Sequence, residues 1–246
     1  MALYMIGIGL NDEKDISVKG LELIKKADKV YLENYTSVLD CSIQDLEKFY
    51  GKEIILADRN MIENGISDIL EESKEQNIAV LIVGDVLVAT THIGILLEAE
   101  EKGIDVEVIH NSSIFNAIGD VGLFSYEFGK ITSIPFGYQN VEVPIRVFND
   151  NYKLGYHTLF LLDLDPKNDK YLEIPEAARY LIDKGIDPEL ISIGCARMGS
   201  KNKEIKVAKL KDLAKSTFKQ KLHCLIIPGK MHFIEEEAIE RWKEQK

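Results

Sequence analysis

The run Ile78-Ala79-Val80-Leu81-Ile82-Val83, closed by Gly84-Asp85, limits the fold more than any other stretch of this chain. A continuous apolar run that stops at a turn suits a strand covered on both faces, and such strands belong to parallel sheets flanked by helices. Around it, short apolar runs alternate with amphipathic stretches from end to end, the pattern of an α/β protein. Residues 2–8 read as a buried strand, and Ser17 to Lys26 as a helix with Val18, Leu21 and Ile24 on one face. Tyr31 lies in the next extended run. Glu53 to Ala57 follows the Tyr50-Gly51 turn as a strand, and Ile62, Ile66, Ile69 and Leu70 share one face of a single helix. A helix from Thr91 to Lys102 stops at Gly103, and Val106 to Ile109 is the last strand of this half.

His110 to Gly122, rich in Asn, Ser, Gly and Asp, marks a boundary, so two α/β domains are expected, residues 1–112 and 113–246. Residues 123–156 are rich in aromatics, and Pro144 suits the first turn of a helix ending before Gly155. Thr158 to Leu164 reads as a strand and Asp165 to Lys170 as a polar loop. Ile174, Ala177, Ala178, Leu181 and Ile182 have helical spacing. Ile191 to Ala196, Glu204 to Leu210 and Leu222 to Pro228 read as strands with some antiparallel pairing. A terminal helix over 234–246 is expected to turn Ile234, Ala238 and Trp242 inward, and no internal repeat is seen.

At 246 residues, the chain buries enough surface to hold a core without disulfides or structural metal. Its 30 basic and 41 acidic side chains give a net charge of −11, which disfavours a sequence-independent nucleic-acid binder, whose affinity comes from Lys and Arg releasing counterions. Cys41, Cys195 and Cys224 are odd in number, widely spaced and without a CxxC pair, so neither a disulfide framework nor a zinc site is expected, and a cytoplasmic setting is. The N-terminus lacks the basic flank of a signal peptide, and no apolar run approaches the roughly 20 residues of a membrane-spanning helix. No contact with a membrane is expected.

Three polar strand ends lie in the first half: Gly7-Ile8-Gly9-Leu10, Gly84-Asp85 leading through Thr90-Thr91 to His92, and His110-Asn111-Ser112-Ser113. In open α/β sheets ligands bind outside the carboxyl ends of the strands, so these ends suit one crevice. Each also has a plain reading, a tight turn for the glycines and turn or cap residues for Asp85, Thr91 and Ser113. A dinucleotide fingerprint is incomplete, because Asp12 stands where its third glycine belongs. There is no GxSxG, HExxH or Walker lysine motif, and the five histidines show no metal-ligand spacing. Lys201 to Lys221 carries eight lysines against Glu204 and Asp212, a solvated face or a docking surface for an acidic partner.

Taken together, several blocks resemble the diphthine synthases, S-adenosylmethionine-dependent methyltransferases of the tetrapyrrole methylase superfamily. They are Tyr4 to Leu10, Val30-Tyr31-Leu32-Glu33-Asn34-Tyr35-Thr36-Ser37, Tyr50 to Arg59, Gly84 to His92, Ile109 to Ser113 and Asn116 to Gly119. Phe128-Gly129-Lys130, His157-Thr158-Leu159, Leu162-Asp163 and Ala196-Arg197-Met198-Gly199-Ser200 continue the likeness over nearly the whole chain. One departure is Val86, where relatives commonly carry Pro.

The resemblance implies two α/β domains of the tetrapyrrole methylase type, with the cofactor in the cleft between them, and an archaeal-type homodimer. It implies S-adenosyl-L-methionine contacts, many through backbone groups, at Leu10, Asp85, Val88, Ser113, Ile114, Leu162, Met198 and His223. The implied reaction is successive methylation of the amino group on the aminocarboxypropyl side chain of a histidine in translation elongation factor 2, giving diphthine and S-adenosyl-L-homocysteine. That displacement needs position above all, since the sulfonium methyl is already activated. The amine must first lose a proton; His92 is a candidate acceptor and water another, while a bond at the helix start is the plainer role for His92. No catalytic residue is assigned and no metal is expected. A tetrapyrrole precursor methylase, a dinucleotide-dependent oxidoreductase and a non-catalytic translation-factor module are the competing readings.

Overall fold

The computed structural model describes residues 1–243, and the chain divides into two compact units, Met1–Ile114 and Phe115–Lys246. The first is built on a parallel sheet. Its strands are β1 (Leu3–Gly7), β2 (Lys29–Glu33), β3 (Ile55–Ala57), β4 (Ile78–Ile82) and β5 (Val106–Ile109), in the order β3-β2-β4-β1-β5. The helices α1 (Val18–Lys26), α2 (Ile43–Tyr50), α3 (Arg59–Glu63), α4 (Ile66–Glu72) and α5 (Ile93–Glu101) connect them. β4 is buried at every position and pairs in parallel with β1 and β2, so it holds the central place that its unbroken apolar run predicts. One apolar cluster joins Met5, Val80 and Ile82 to Ile66, Ile69 and Leu70, and a second joins Ile6 and Leu81 to Leu23, Ile24 and Leu46. Each face of the sheet thus has its own core.

Two readings of this unit need correction. Ile62, Ile66, Ile69 and Leu70 are all buried, but on two helices rather than one, because the chain breaks at Asn64-Gly65 between α3 and α4. In α1 the inward residues are Gly20, Leu23 and Ile24, and Val18 is exposed. Gly20 faces the sheet because a Cβ there would come within 2.9 Å of Ile6 Cγ2, so a bare backbone takes the place of a side chain at this contact. α5 starts at Ile93, with His92 in the cap position.

The chain passes from the first unit to the second within α6 (Ile114–Ala117). The second unit holds β6 (Thr132–Ile134), α7 (Val143–Leu154), β7 (Thr158–Leu162), the short hairpin β8 (Leu164–Asp165) and β9 (Lys170–Tyr171), and α8 (Ile174–Asp183). It continues with β10 (Ile191–Ala196), β11 (Glu204–Lys209), α9 (Leu210–Leu213), β12 (His223–Ile227) and α10 (Phe233–Glu240). Its main sheet runs β11-β10-β12-β7-β6, antiparallel except where β6 pairs with β7. α7 has Pro144 in its first turn and ends at Gly155 in the left-handed conformation. Cys195 and Cys224 are buried directly opposite each other on β10 and β12.

The terminal helix departs from its expected face. Ile234 is exposed and Ala238 half-buried, whereas Glu235 and Ile239 are buried. Glu235 goes inward because it has partners there: its Oε1 accepts from the Phe124 amide at 2.6 Å and from His157 Nε2 at 3.0 Å, and its Oε2 accepts from the His232 amide at 2.7 Å. His157 Nδ1 accepts from the Gly229 amide at 3.0 Å, which leaves the ring hydrogen on Nε2 for Glu235. The predicted extension beyond residue 243 lies outside the described residues. No helix among the described residues is long and apolar enough to cross a membrane.

Candidate functional site

In the first unit the carboxyl ends of β4, β1 and β5 lie side by side, which brings the three polar segments together. Gly9 and Gly84 exchange both backbone bonds, Gly9 N–H to Gly84 O at 3.3 Å and Gly84 N–H to Gly9 O at 2.7 Å. Gly7 is required by this packing: a Cβ there would stand 2.7 Å from Gly84 O and 3.0 Å from Asn111 Cβ. Gly84 is different. Its φ is +84°, and a Cβ built on it would meet nothing nearer than Leu10 Cδ2 at 3.7 Å and Ser112 O at 3.9 Å. A Cβ would thus fit here in ordinary contact with Leu10 and the Ser112 carbonyl, and the left-handed φ rather than crowding is what calls for glycine.

Asp85 is the hub of this edge. It is buried; Oδ1 accepts from the Leu87 amide at 3.0 Å, while Oδ2 accepts from the Asn111 amide at 3.0 Å and lies 2.8 Å from His110 Nδ1. Burial pushes its carboxyl up, but the Leu87 and Asn111 amides and His110 outweigh that and hold it below the usual carboxylate range. Asn111 extends the fastening, donating through Nδ2 to Gly7 O at 2.9 Å and Asp15 O at 3.0 Å. Asp15 in turn accepts from the Leu10 and Asn11 amides. Asp85 thus fixes the loops after β4 and β5, and Asp15 fixes the turn that presents Leu10.

The second unit has a comparable edge. Antiparallel pairing sets Cys224 opposite Leu161 and His223 opposite Ala196, so the end of β7 with Leu162, the start of β12 with His223 and the end of β10 share one side of the sheet. Just beyond β10, Arg197 (φ +53°) donates its N–H to the carbonyl of Leu222 (φ +67°) at 3.0 Å. Such left-handed conformations cost a residue with a Cβ roughly 1–2 kcal/mol. Ala89 (φ +58°) is a third case, one residue after Val88. Strained backbone therefore adjoins Val88, Met198 and His223, a signal composition and periodicity do not carry.

The expected contact residues thus fall into two groups, each within one unit. Leu10, Asp85, Val88, Ser113 and Ile114 belong to the first sheet edge, with Asp85 and Ser113 buried and Leu10, Val88 and Ile114 half-buried. Leu162, Met198 and His223 belong to the second. His223 has no ring nitrogen to spare, since Nδ1 accepts from the Ile174 amide at 3.2 Å and Nε2 donates to Gln220 O at 2.7 Å. Burial pushes its pKa down. Backbone atoms are what it has to offer a ligand.

His92 is not placed to take a proton from a substrate. Its side chain is buried and its nitrogens point inward, Nδ1 to Val86 O at 3.2 Å and Nε2 toward Glu33 Oε2 at 3.6 Å. Among the described residues no group of three or more His, Cys, Asp or Glu side chains is arranged to hold a metal ion. Four of the eight lysines in the lysine-rich stretch form ion pairs within their own unit: Lys203 with Asp120, Lys209 and Lys211 with Glu189, and Lys221 with Asp169.

The tetrapyrrole (corrin/porphyrin) methylase profile matches residues 2–214. The diphthine synthase of Methanococcus maripaludis is 42% identical over 247 aligned positions, spanning 96% of this chain and 97% of its own. The chain belongs to the diphthine synthase branch of the tetrapyrrole methylase family. A second member, the diphthine methyl ester synthase of Dictyostelium discoideum, is 39% identical over 274 positions that take in the whole of both chains. A solved diphthine synthase structure superposes with a TM-score of 0.92 at 37% identity, covering 99% of this chain and 96% of that one. Likeness to this branch runs beyond residue 214, where the family profile ends, and so takes in β12 and α10.

Proposed function

We propose that this chain transfers methyl groups from S-adenosyl-L-methionine to the amino group of the aminocarboxypropyl-histidine side chain of translation elongation factor 2, producing diphthine and S-adenosyl-L-homocysteine. The observation that carries this reading is the full-length likeness to diphthine synthases, which a superfamily-wide methylase fold alone does not explain. The residues at the first sheet edge fit the methyl donor. The bare Gly84 backbone lies beside the apolar Leu10 side chain and the Ser112 carbonyl, a mixture of apolar and polar groups that suits a ligand with an apolar centre and polar ends. Leu10, Asp85, Val88, Ser113 and Ile114 would hold it from the first unit, and Leu162, Met198 and His223 from the second.

The donor supplies a methyl carbon already activated by its sulfonium, so this chain's residues have mainly to position and to exclude water. Leu10 and Val88 contribute apolar walls, and Asp85 and Asp15 fasten the loops that present them. In each transfer the acceptor nitrogen uses its lone pair to form the N–C bond while the C–S pair returns to sulfur. An ammonium proton must leave before each attack. Water is the acceptor most consistent with the inward-facing nitrogens of His92. A cytoplasmic homodimer belongs to the same reading, and equilibrium sedimentation checks the assembly.

A second product is favoured by one observation. The Dictyostelium relative, which matches from end to end, makes a methyl ester, as its name states, and a carboxylate oxygen is then also an acceptor. The archaeal-type product is supported by the Methanococcus relative, which is named a diphthine synthase and is 42% identical over 96% of this chain. Intact-mass spectrometry of elongation factor 2 bearing the unmethylated side chain, incubated with this protein and the donor, distinguishes the two. Stepwise methyl additions confined to that histidine support the proposal; an added methyl labile to mild alkali identifies the ester. Unchanged mass with donor binding demonstrated would overturn the assigned acceptor.

A further inference from the structure

The peptide unit joining Val86 to Leu87 is held at both ends. Its carbonyl lies 3.2 Å from His92 Nδ1, and its N–H donates to Asp85 Oδ1 at 3.0 Å. A carbonyl only accepts, so the hydrogen of the His92–Val86 bond sits on Nδ1. Nε2 of this buried ring then has no hydrogen-bond partner and faces Glu33 Oε2 at 3.6 Å. The Glu33 side chain is itself fully enclosed. Its Oε1 accepts from the Thr36 and Tyr35 amides at 2.8 and 3.3 Å, and its Oε2 from the Thr36 hydroxyl at 2.9 Å. Two acceptor atoms facing each other out of water are costly unless a proton lies between them.

We propose that His92 is a positioning residue: sharing a proton with Glu33 through Nε2, it locks Nδ1–H onto the Val86 carbonyl and sets the peptide plane from which Leu87–Thr91 departs. Asp85 grips the other end of the same plane, so the direction in which the chain enters Val88 is fixed before the left-handed turn at Ala89. A strained residue persists only where its surroundings over-determine it, and this two-ended grip supplies that determination. The fastening also spans the sheet edge, since Glu33 closes β2, Val86 follows β4, and Asp85 reaches Asn111 after β5. The consequence for donor affinity rests on the donor-binding reading of Val88; the consequence for the loop does not.

The test uses the full-length protein and two measurements, hydrogen exchange of the amides from Leu87 to Ala89 and calorimetric titration with S-adenosyl-L-homocysteine. His92→Ala is expected to speed that exchange and to weaken binding, each by about tenfold, the equivalent of one lost hydrogen bond. His92→Asn, whose amide reaches the Nδ1 position, should restore both to within about threefold of the parent, and Glu33→Gln, which places an N–H between the two groups, should do the same. Exchange elsewhere in the first unit serves as the control for folding. If His92→Ala does not fold, His92→Gln, whose amide reaches the Nε2 position instead, should exchange faster than His92→Asn. Parental exchange in His92→Ala, or equal exchange in the Asn and Gln variants, overturns the proposal. Failure of the parent protein to bind the homocysteine product overturns the donor-binding reading alone, because the exchange comparison needs no ligand.

Discussion

Single residues at the first sheet edge divide into those that leave space and those that hold it. Asp85 holds it, and it differs from an ordinary ligand-binding carboxylate in that both oxygens are already occupied by protein donors. Asp85→Ala leaves the Leu87 and Asn111 amides without their acceptor, and its expected cost is about 1.5–3 kcal/mol, read from urea unfolding midpoints, together with weakened donor binding. Its depressed pKa gives the pH dependence. The stabilisation is complete above the ordinary carboxyl value of 3.8 and is lost as the pH falls through the lower folded value. An Asp85→Ala variant of unchanged stability at pH 7 would sink this account. At this scale the sequence was legible in kind rather than in role. Asp85 stands out by its place after a strand, yet the two glycines of Gly7-Ile8-Gly9 look alike on paper, and only three-dimensional crowding by Gly84 O reveals that Gly7 serves packing.

Among the elements, those with one unbroken pattern were legible and those ruled by a buried polar group were not. β5 has its expected bounds and β4 begins where its apolar run begins and stops one residue short of Val83, whereas the Ile62 to Leu70 periodicity continues across a break it does not register. α10 was misread because Glu235 looks like a solvated face; the local clue is His232 three residues before it, whose amide it accepts in a capping box. Burial pushes the Glu235 carboxyl up, but the Phe124 and His232 amides and His157 overcome this and hold it below the ordinary 4.5. Its contribution is therefore full above pH 4.5 and disappears as the pH falls through the depressed value. Glu235→Gln should shift the urea midpoint down by the equivalent of about 1–3 kcal/mol at pH 7, with the difference from the parent narrowing in acid. The lysine face is a second case. Because Glu189 already answers Lys209 and Lys211, with its own pKa pulled down to about 2, charge reversal at Lys209 and Lys211 is expected to leave the Michaelis constant for elongation factor 2 within about twofold. A larger rise, measured at two salt concentrations, would make that face a docking surface after all.

Across the whole molecule, alternation of apolar and amphipathic runs suffices to predict an α/β chain, and the parallel sheet of the first unit follows from its connecting helices. The mixed sheet of the second is less exposed to such reading, since strand order depends on pairings between distant segments such as β7 with β12. The facing thiols in that sheet give the protein an internal clock. Cys224 and burial push the Cys195 thiol up, and both facing thiols are out of reach of solvent while the strands stay paired; Cys41 in the first unit, its own thiol pushed up to about 11 by burial and Glu13, is half-exposed and so within reach of a reagent. Pulsed alkylation followed by peptide mass mapping should show Cys41 modified first and Cys195 with Cys224 together, at the rate at which their sheet opens. A chain carrying three cysteines, none of which announced a task in the sequence, thereby times the opening of its second sheet against a half-exposed internal reference, without a dye or an engineered label.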